Sequence, residues 1–530
     1  HIGGRIDGVY TGCDSAPETV IEEIKTVSRW PDSEDSPENP MHWGQARVYG
    51  FMYAAQHAIR EMEIQLTYCH LDTGDIREDR RAVAVNELKM FFDELIEGYL
   101  DWARTVTSWF RIRDESIRSL TFPYPSYRPG QRRMAVETYR TVQAGDQLLV
   151  QAATGIGKTM AVLFAAVKSI ADGHTEKIFY LTARTTGQSA AEKAIAILGN
   201  RGLRLKSLTL TAKDKICFSP GSACSAEECE FARGYYDRRN AALKDIFLQD
   251  AITRRSLKAA CALHRLCPFE ISLNLALYAD CIICDYNYAF DPRVFLRRFF
   301  LETQDSYTFL VDEAHNLVDR ARNMFSAEIR KKSFLQLRRK IKSVLPELYS
   351  NLGKVNSWML RARKAAPGGQ QVWAETQPPE GIAGPLRQSV AAMEKWLIRN
   401  SKTDFKESLL ELYFEINSFL RVMDRFDEAY VTCYDRSGKD LRLKQFCVDP
   451  ADQIAEALNR CESAVFFSAT LTPAGYFKTV FGCRDSAVAL NLPSPFAIEN
   501  LKVFVADRIS TLYRQRELTA DAVAKVLIAM

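Results

Sequence analysis

The stretch that decides the fold is Gln147-Leu148-Leu149-Val150-Gln151-Ala152-Ala153-Thr154-Gly155-Ile156-Gly157-Lys158-Thr159-Met160. Gln147 to Gln151 is a short apolar run that reads as a buried strand, and Met160 to Ile170 has helical periodicity. A glycine-rich turn ending in Gly-Lys-Thr between the two is a phosphate cradle, because its backbone N–H groups and the helix N-terminus face an anion. Gly155 and Gly157 let the turn close, Lys158 would reach the β- and γ-phosphates of ATP, and the Thr159 hydroxyl would ligate Mg²⁺. The strict pattern has glycine where Ala152 stands. A chance turn before a helix is the plain alternative; the context favours a nucleoside triphosphatase.

Working outward, apolar runs alternate with amphipathic ones. Strands are expected at Lys177 to Thr182, Ser207 to Thr211, Asp280 to Cys284, Thr308 to Val311 and Ala464 to Phe467, with a helix over Gln188 to Leu198. That alternation predicts an α/β fold with a parallel sheet covered on both faces. The strand before Asp312-Glu313-Ala314-His315 delivers two acids to its carboxyl end, where open α/β sheets bind ligands. Asp312 would hold Mg²⁺ through water, Glu313 would polarise the attacking water, and His315 reads as a coupling residue. An acid pair capping a helix is the structural alternative. The hydroxyls of Ser468-Ala469-Thr470 end another strand and suit a link from the nucleotide to a moving partner domain, or a plain turn.

A chain of 530 residues predicts three or four domains, and 47% hydrophobic with 26% charged residues describes an ordinary soluble globular protein. The net charge of +4 is too small to prove a nucleic-acid partner, and no long uninterrupted apolar run predicts a membrane span. Both ends read as cuts through folded units, so a fragment is expected.

Thirteen cysteines, an odd number, do not make a disulfide framework at this length and imply a reducing, cytoplasmic setting. Five of them (Cys217, Cys224, Cys229, Cys261 and Cys267) crowd one window whose Gly221, Ser222, Ser225, Glu227 and Glu228 make it polar and turn-like. Three close thiolates and one distant one suit a single metal centre, and spacing alone leaves zinc and an iron–sulfur cluster open. A set of buried free thiols is the bland reading.

In the leading 110 residues, Asp7 and Glu23 on neighbouring strands would share Mg²⁺ or Mn²⁺, with Lys25 projecting from the same strand face as Glu23. That geometry suits metal-assisted phosphodiester cleavage, Lys25 orienting or stabilising the nucleophile. An edge strand carrying the same residues without chemistry is the alternative. Gln45 and Tyr49 would share one helix face, and His42 lies one turn earlier.

Taken together, the order A-x-x-G-x-G-K-T, D-E-A-H, S-A-T resembles the superfamily 2 helicases. Tyr180-Leu181-Thr182-Ala183-Arg184 resembles their segment touching the nucleic-acid backbone, and Tyr127-Arg128-Pro129-Gly130-Gln131 their adenine-sensing segment, with Gln131 the contact. Lys215-Ile216-Cys217, Cys224, Cys229, Cys267-Pro268-Phe269-Glu270 and Ala279 to Tyr288 look like the XPD/DinG group of iron–sulfur DNA helicases. The resemblance runs from about Pro125 to about Arg514. It implies that Cys217, Cys224, Cys229 and Cys267 bind a [4Fe-4S] cluster, with Cys261 spare. It also implies that the helical insertion before Asp449 is an Arch domain, and that translocation runs 5′ to 3′ on single-stranded or forked DNA. Asp7, Glu23, Lys25, Gln45 and Tyr49 resemble the RecB-like branch of the PD-(D/E)XK nucleases.

The expected organisation is therefore a truncated nuclease domain over 1–115 and a RecA-like motor domain over 120–325 and 450–502. A cluster domain (212–270) and a helical Arch (326–449) are inserted, and 503–530 begins a second motor domain. The expected activity is an ATP-dependent DNA helicase fused to a metal-dependent nuclease, monomeric and acting in repair or replication. A D-E-A-H RNA-remodelling ATPase and a non-catalytic DNA-binding protein are the alternatives.

Overall fold

The computed structural model describes residues 3–12, 19–27, 30, 39–71, 73–222, 224–300, 306–398, 403–495, 497, 499, 502, 503 and 505–529. Most of the acidic, proline-rich loop expected over 31–40 lies outside them, as does Phe496 at the expected motor boundary. The chain divides into two compact units, His1–Ile112 and Arg113–Met530.

In the first unit β1 (Gly8–Thr11), β2 (Thr19–Val27), β3 (Glu61–His70) and β4 (Ile76–Ala84) form one sheet in that order. The β1–β2 and β3–β4 pairs are antiparallel and β2–β3 is parallel, so β2 and β3 need a crossover. Helix α1 (Pro40–His57) supplies it. Asn39 caps this helix by accepting the Met41 N–H at 3.0 Å, and Pro40 stands where its missing donor costs nothing. Trp43, Ala46 and Ala54 of α1 pack on Ile21, Ile64, Leu66 and Tyr68, which share one sheet face by strand alternation. Helix α2 (Val85–Ser119) follows.

The second unit is built on eight strands: β5 (Gln147–Ala152), β6 (Lys177–Leu181), β7 (Ser207–Thr209), β8 (Ala251–Ile252), β9 (Cys281–Cys284), β10 (Tyr307–Asp312), β15 (Ser463–Ser468) and β16 (Val488–Leu492). Their order is β16-β5-β15-β10-β6-β9-β7-β8, every pair parallel. Residues of β6, β10 and β15 are buried on both faces, which is why they read as continuous apolar runs. Phe179, Phe309 and Phe466 point into one apolar layer, and Tyr180, Leu310 and Phe467 into the other. Lys177 is buried and donates to the carbonyls of Ala276, Leu277 and Ala279 at the end of helix Pro268–Ala276. This cation meets the negative helix end and ties the cysteine-bearing insertion to β6.

The insertion at 326–449 is not simply helical. β11 (Ala327–Arg330), β12 (Val372–Glu375), β13 (Tyr430–Asp435) and β14 (Arg442–Cys447) form an antiparallel sheet ordered β11-β14-β13-β12. Helices Lys331–Ile341, Pro346–Lys364, Ala383–Ile398 and Lys406–Met423 complete it around Phe334, Leu352, Leu409, Phe419 and Leu443. The strands escape a search for long apolar runs because they alternate: β13 and β14 bury every second residue. No helix among the described residues is long and apolar enough to cross a membrane.

Candidate nucleotide and metal sites

The three motor motifs meet because β15 lies between β5 and β10. The turn after β5 runs through Gly155 (φ +86°) and Gly157 (φ +84°) into helix α3 (Lys158–Ala171). At Gly157 a Cβ would strike the Gln131 amide, so the turn requires glycine there for both φ and space. Gln131 itself is buried; it accepts from the Arg128 N–H at 3.0 Å and donates to the Gly157 carbonyl at 3.2 Å. Its amide thus braces the turn. Arg128 adds a second brace by donating to the Gly155 carbonyl. Lys158 Nζ donates to the carbonyls of Ala152 (3.1 Å) and Ala153 (3.4 Å), both neutral acceptors.

At the end of β10 the Asp312 carboxyl is pushed up to about 6, chiefly by burial, although a hydrogen bond from Tyr180 at 2.8 Å opposes the shift. Thr159 hydrogen-bonds the same Tyr180, so one phenol joins the two groups expected to bind Mg²⁺. Tyr286 donates to the carbonyls of Asp312 and Glu313, fixing the bend where Glu313 adopts φ +48°. Such a φ is uncommon for a side-chain-bearing residue and is held by its surroundings. It turns Glu313 toward β15, where Ser468 Oγ donates to Oε2 at 3.1 Å. His315 Nδ1 lies 2.6 Å from that hydroxyl and 3.4 Å from the carboxylate. Glu313, His315 and Ser468 are therefore one network, and the Thr470 N–H reaches Ser468 Oγ at 3.4 Å. Thr472 donates to Gln151 of β5 and closes the link back to the phosphate turn.

Cys217, Cys224, Cys229 and Cys267 line one cavity of about 540 Å³. Cys261 does not line it and is fully buried. Its thiol, pushed up to about 12 by burial, behaves as a small apolar group. The four thiols share a space without meeting at a point: among the described residues no three His, Cys, Asp or Glu side chains form a metal-holding group. The donor set nevertheless fits a soft metal centre, being four sulfurs in a largely apolar cavity with Lys213 beside them. Lys213 has its pKa raised, first by a hydrogen bond to Cys224 and then by the charges of Cys224, Cys217 and Cys267. It also lines an adjoining groove of about 830 Å³ with Arg184, Lys215, Arg254, Phe269 and Tyr288. Arg320 reaches that groove and donates to Asp285 (2.8 Å) and Asn287 (3.0 Å).

In the first unit, Asp7 Oδ2 accepts the Ile24 N–H at 2.9 Å, which sets it beside Glu23 across the β1–β2 pair. Lys25 Nζ bonds Glu23 Oε1 at 2.5 Å and Gln45 Oε1 at 3.0 Å. Gln45 Nε2 reaches the Tyr49 hydroxyl at 3.4 Å. All five expected residues are thus brought to one face of β2. Glu23 Oε2 is buried without a hydrogen-bond partner, and such an orphaned carboxylate oxygen suits a divalent cation. His42 bonds Tyr68 (3.1 Å) and Asn39 (3.2 Å), and its pKa is lowered by burial and then by Lys25. It serves the scaffold as a neutral ring. Glu22, on the opposite face, is satisfied by Tyr10, Gln65 and Thr67.

Sequence reasoning assigned no such roles to Tyr180, Tyr286, Lys213 or Arg320. Tyr180 and Tyr286 sit in or beside apolar runs and look like core. Lys213 and Arg320 have no local pattern; only the fold brings them to the cavity and groove.

A family model described as DEAD_2 matches residues 202–334. The chain is 23% identical over 328 residues to the "General transcription and DNA repair factor IIH helicase subunit XPD" of Arabidopsis thaliana, covering 54% of this chain and 40% of that protein. The protein of that name from Dictyostelium discoideum is 22% identical over 241 residues, 39% of this chain and 30% of its own length. The chain thus spans less than half the length of these relatives. Among solved structures, "XPD_Helicase" aligns over 77% of this chain and 70% of its own, at 17% identity and a TM-score of 0.48. "Truncated XPD" aligns over 68% and 98%, at 19% identity and a TM-score of 0.45. The family match and the sequence relatives support an XPD-like superfamily 2 helicase.

Proposed function

We propose that this chain carries the nucleotide-binding motor of an ATP-dependent DNA helicase with a [4Fe-4S] cluster, joined to a metal-dependent DNA nuclease. The observation that carries the reading is the groove beside the cysteine cavity. It lines up cations (Arg184, Lys213, Lys215, Arg254) with aromatic rings (Phe269, Tyr288), the combination that binds a single strand by its phosphates and base faces. Lys213, on both walls, ties strand binding to the thiol cavity. Binding there would be sequence-tolerant and weakened by salt. The 5′ to 3′ polarity, the preference for forked DNA and a role in repair rest on the resemblance to the XPD/DinG group.

In the motor, Lys158 would leave the Ala152 and Ala153 carbonyls for the phosphates, and Thr159 and Asp312 would hold Mg²⁺. Bound Mg²⁺ neutralises charge on the phosphates. Glu313, with its carboxylate fixed by Ser468, orients the attacking water and takes its proton. His315 and Ser468 pass any shift of Glu313 to β15, which is how hydrolysis would be felt beyond the site. In the first unit Asp7 and Glu23 would hold Mg²⁺ or Mn²⁺, Lys25 would stabilise the nucleophile, and Gln45 and Tyr49 would position DNA.

Anaerobic purification tests the cluster: brown protein with a broad visible absorption band and about four irons per chain is expected. Colourless protein with stoichiometric zinc ends that claim. The intact protein is expected to unwind a duplex with a 5′ tail only with ATP, and Lys158→Ala to abolish unwinding. Unwinding that survives Lys158→Ala removes the motor reading.

A further inference from the structure

A cavity of about 550 Å³ lies between helix Arg297–Phe300, the end of helix Lys406–Met423 and the residues just after helix Ala451–Leu458. Its residues Asn459 and Arg460 precede β15, whereas Ser468 closes that strand, so the cavity is separated from the phosphate turn by the strand's length, about 20 Å. Five arginines line it against a single carboxylate, Glu456. Arg293 is spent on a two-pronged pair with Asp291 at 3.0 and 2.9 Å. Arg425 reaches Glu456 at 3.3 Å. The Arg460 guanidinium lies 3.9 Å from the Phe295 ring centroid and donates to the Ala289 carbonyl, an uncharged partner. Arg297 faces the same ring at 5.7 Å, and Arg421 stands in the last turn of its helix.

The plain explanation is that these arginines offset helix ends. Three helix C-termini, those of His315–Met324, Lys406–Met423 and Ala451–Leu458, bring about one and a half negative charges in all, and Glu456 one more. Four guanidiniums remain after the Arg293–Asp291 pair is set aside, leaving about one and a half positive charges unanswered. That surplus matches a phosphate monoester, which carries about −1.5 to −2 at pH 7, and the rings of Phe295, Phe300, Phe325 and Tyr430 offer flat apolar wall beside it. We propose that this cavity is a second nucleotide site, taking one phosphate-bearing nucleotide unit, either free or as part of a strand. It stands independently of the motor reading, because none of its residues belongs to the phosphate turn or the acidic motif.

The test uses the Lys158→Ala protein in EDTA, so that the phosphate turn takes no Mg-nucleotide. Calorimetry with thymidine monophosphate is expected to show one saturable site, with inorganic phosphate binding more weakly. Arg421→Glu and Arg297→Glu, both on exposed side chains, should each weaken it roughly tenfold or more without moving the thermal unfolding midpoint. A 5′-phosphorylated hexathymidylate distinguishes the two sources. An affinity above that of the mononucleotide, lost equally on Arg421→Glu, assigns a strand, and an affinity that ignores Arg421→Glu assigns the free nucleotide. No saturable monophosphate binding, or binding untouched by both charge reversals, overturns the proposal.

Discussion

Each unit holds a lysine beside its candidate metal-binding acids, and the two lysines are held by opposite kinds of partner. Lys158 rests on two backbone carbonyls, neutral acceptors that a triphosphate displaces readily. Lys25 rests on Glu23, the carboxylate that would take the metal. The acids differ in the same sense. Asp312 lies deep at a strand end where burial raises its pKa, so a proton is its competitor. Glu23 is equally buried but already faces a cation, so its competitor is Lys25. Two candidate sites built from the same residue types would therefore be gated differently, one by protons and one by an internal ion pair.

The largest expected effect isolates chemistry from binding in the second unit. Glu313→Gln keeps the hydrogen bond from Ser468 but cannot take a proton, so ATP hydrolysis should fall roughly 10²- to 10⁴-fold while nucleotide affinity stays put. Equal losses in both would make Glu313 a binding residue instead.

Next comes the proton gate. Native Asp312 titrates near 6 against an ordinary 3.8, so between those values the folded protein keeps a proton that the unfolded chain has lost. Stability therefore declines as pH rises through that window, and the deficit is complete above 6. Asp312→Asn removes it and should stabilise metal-free protein at pH 7.5 by about 1–3 kcal/mol, the gain vanishing below pH 4. Denaturant unfolding at several pH values measures this; a gain independent of pH would contradict the gate. The same variant should lose Mg²⁺-dependent nucleotide binding.

The smallest effect concerns the ion pair. Lys25→Ala frees Glu23 and should tighten Mn²⁺ binding to the first unit roughly threefold to tenfold, the worth of a partly exposed pair, while slowing DNA cleavage. Glu23→Ala should remove that Mn²⁺ site, as read by electron paramagnetic resonance. Weaker Mn²⁺ binding in Lys25→Ala would show that the lysine supports the metal rather than competing with it.

The parallel sheet was legible because its strands are buried on both faces and its motifs are contiguous. Asp312, Glu313 and Ser468 sit at or just past the end of a strand that an apolar run announces, and Lys158 opens the helix after another such strand. The first unit was legible through Glu23, Lys25 and the Gln45–Tyr49 spacing, since strand and helix periods alone put each pair on one face. Asp7 depended on a hairpin partner that the sequence does not name. The sheet within 326–449 was missed because alternating strands such as β13 carry only half the apolar residues of a core strand. Cys261 shows another limit: spacing alone leaves it a candidate, the resemblance sets it aside, and in the fold it lies outside the cavity that the other four thiols line.

The placing of β15 between β5 and β10 has a consequence for how the chain is made. β5, β6, β9 and β10 leave the ribosome well before β15, with the whole of the antiparallel sheet and its helices translated in between. Until Ser463 to Ser468 emerges, β5 and β10 expose unpaired strand edges at the centre of the future sheet. Closing so long a loop is slow although its entropic cost grows only logarithmically. The nascent protein therefore passes through a stage in which its inserted domain is able to fold while its motor is still split, and that stage is where a chaperone would find it.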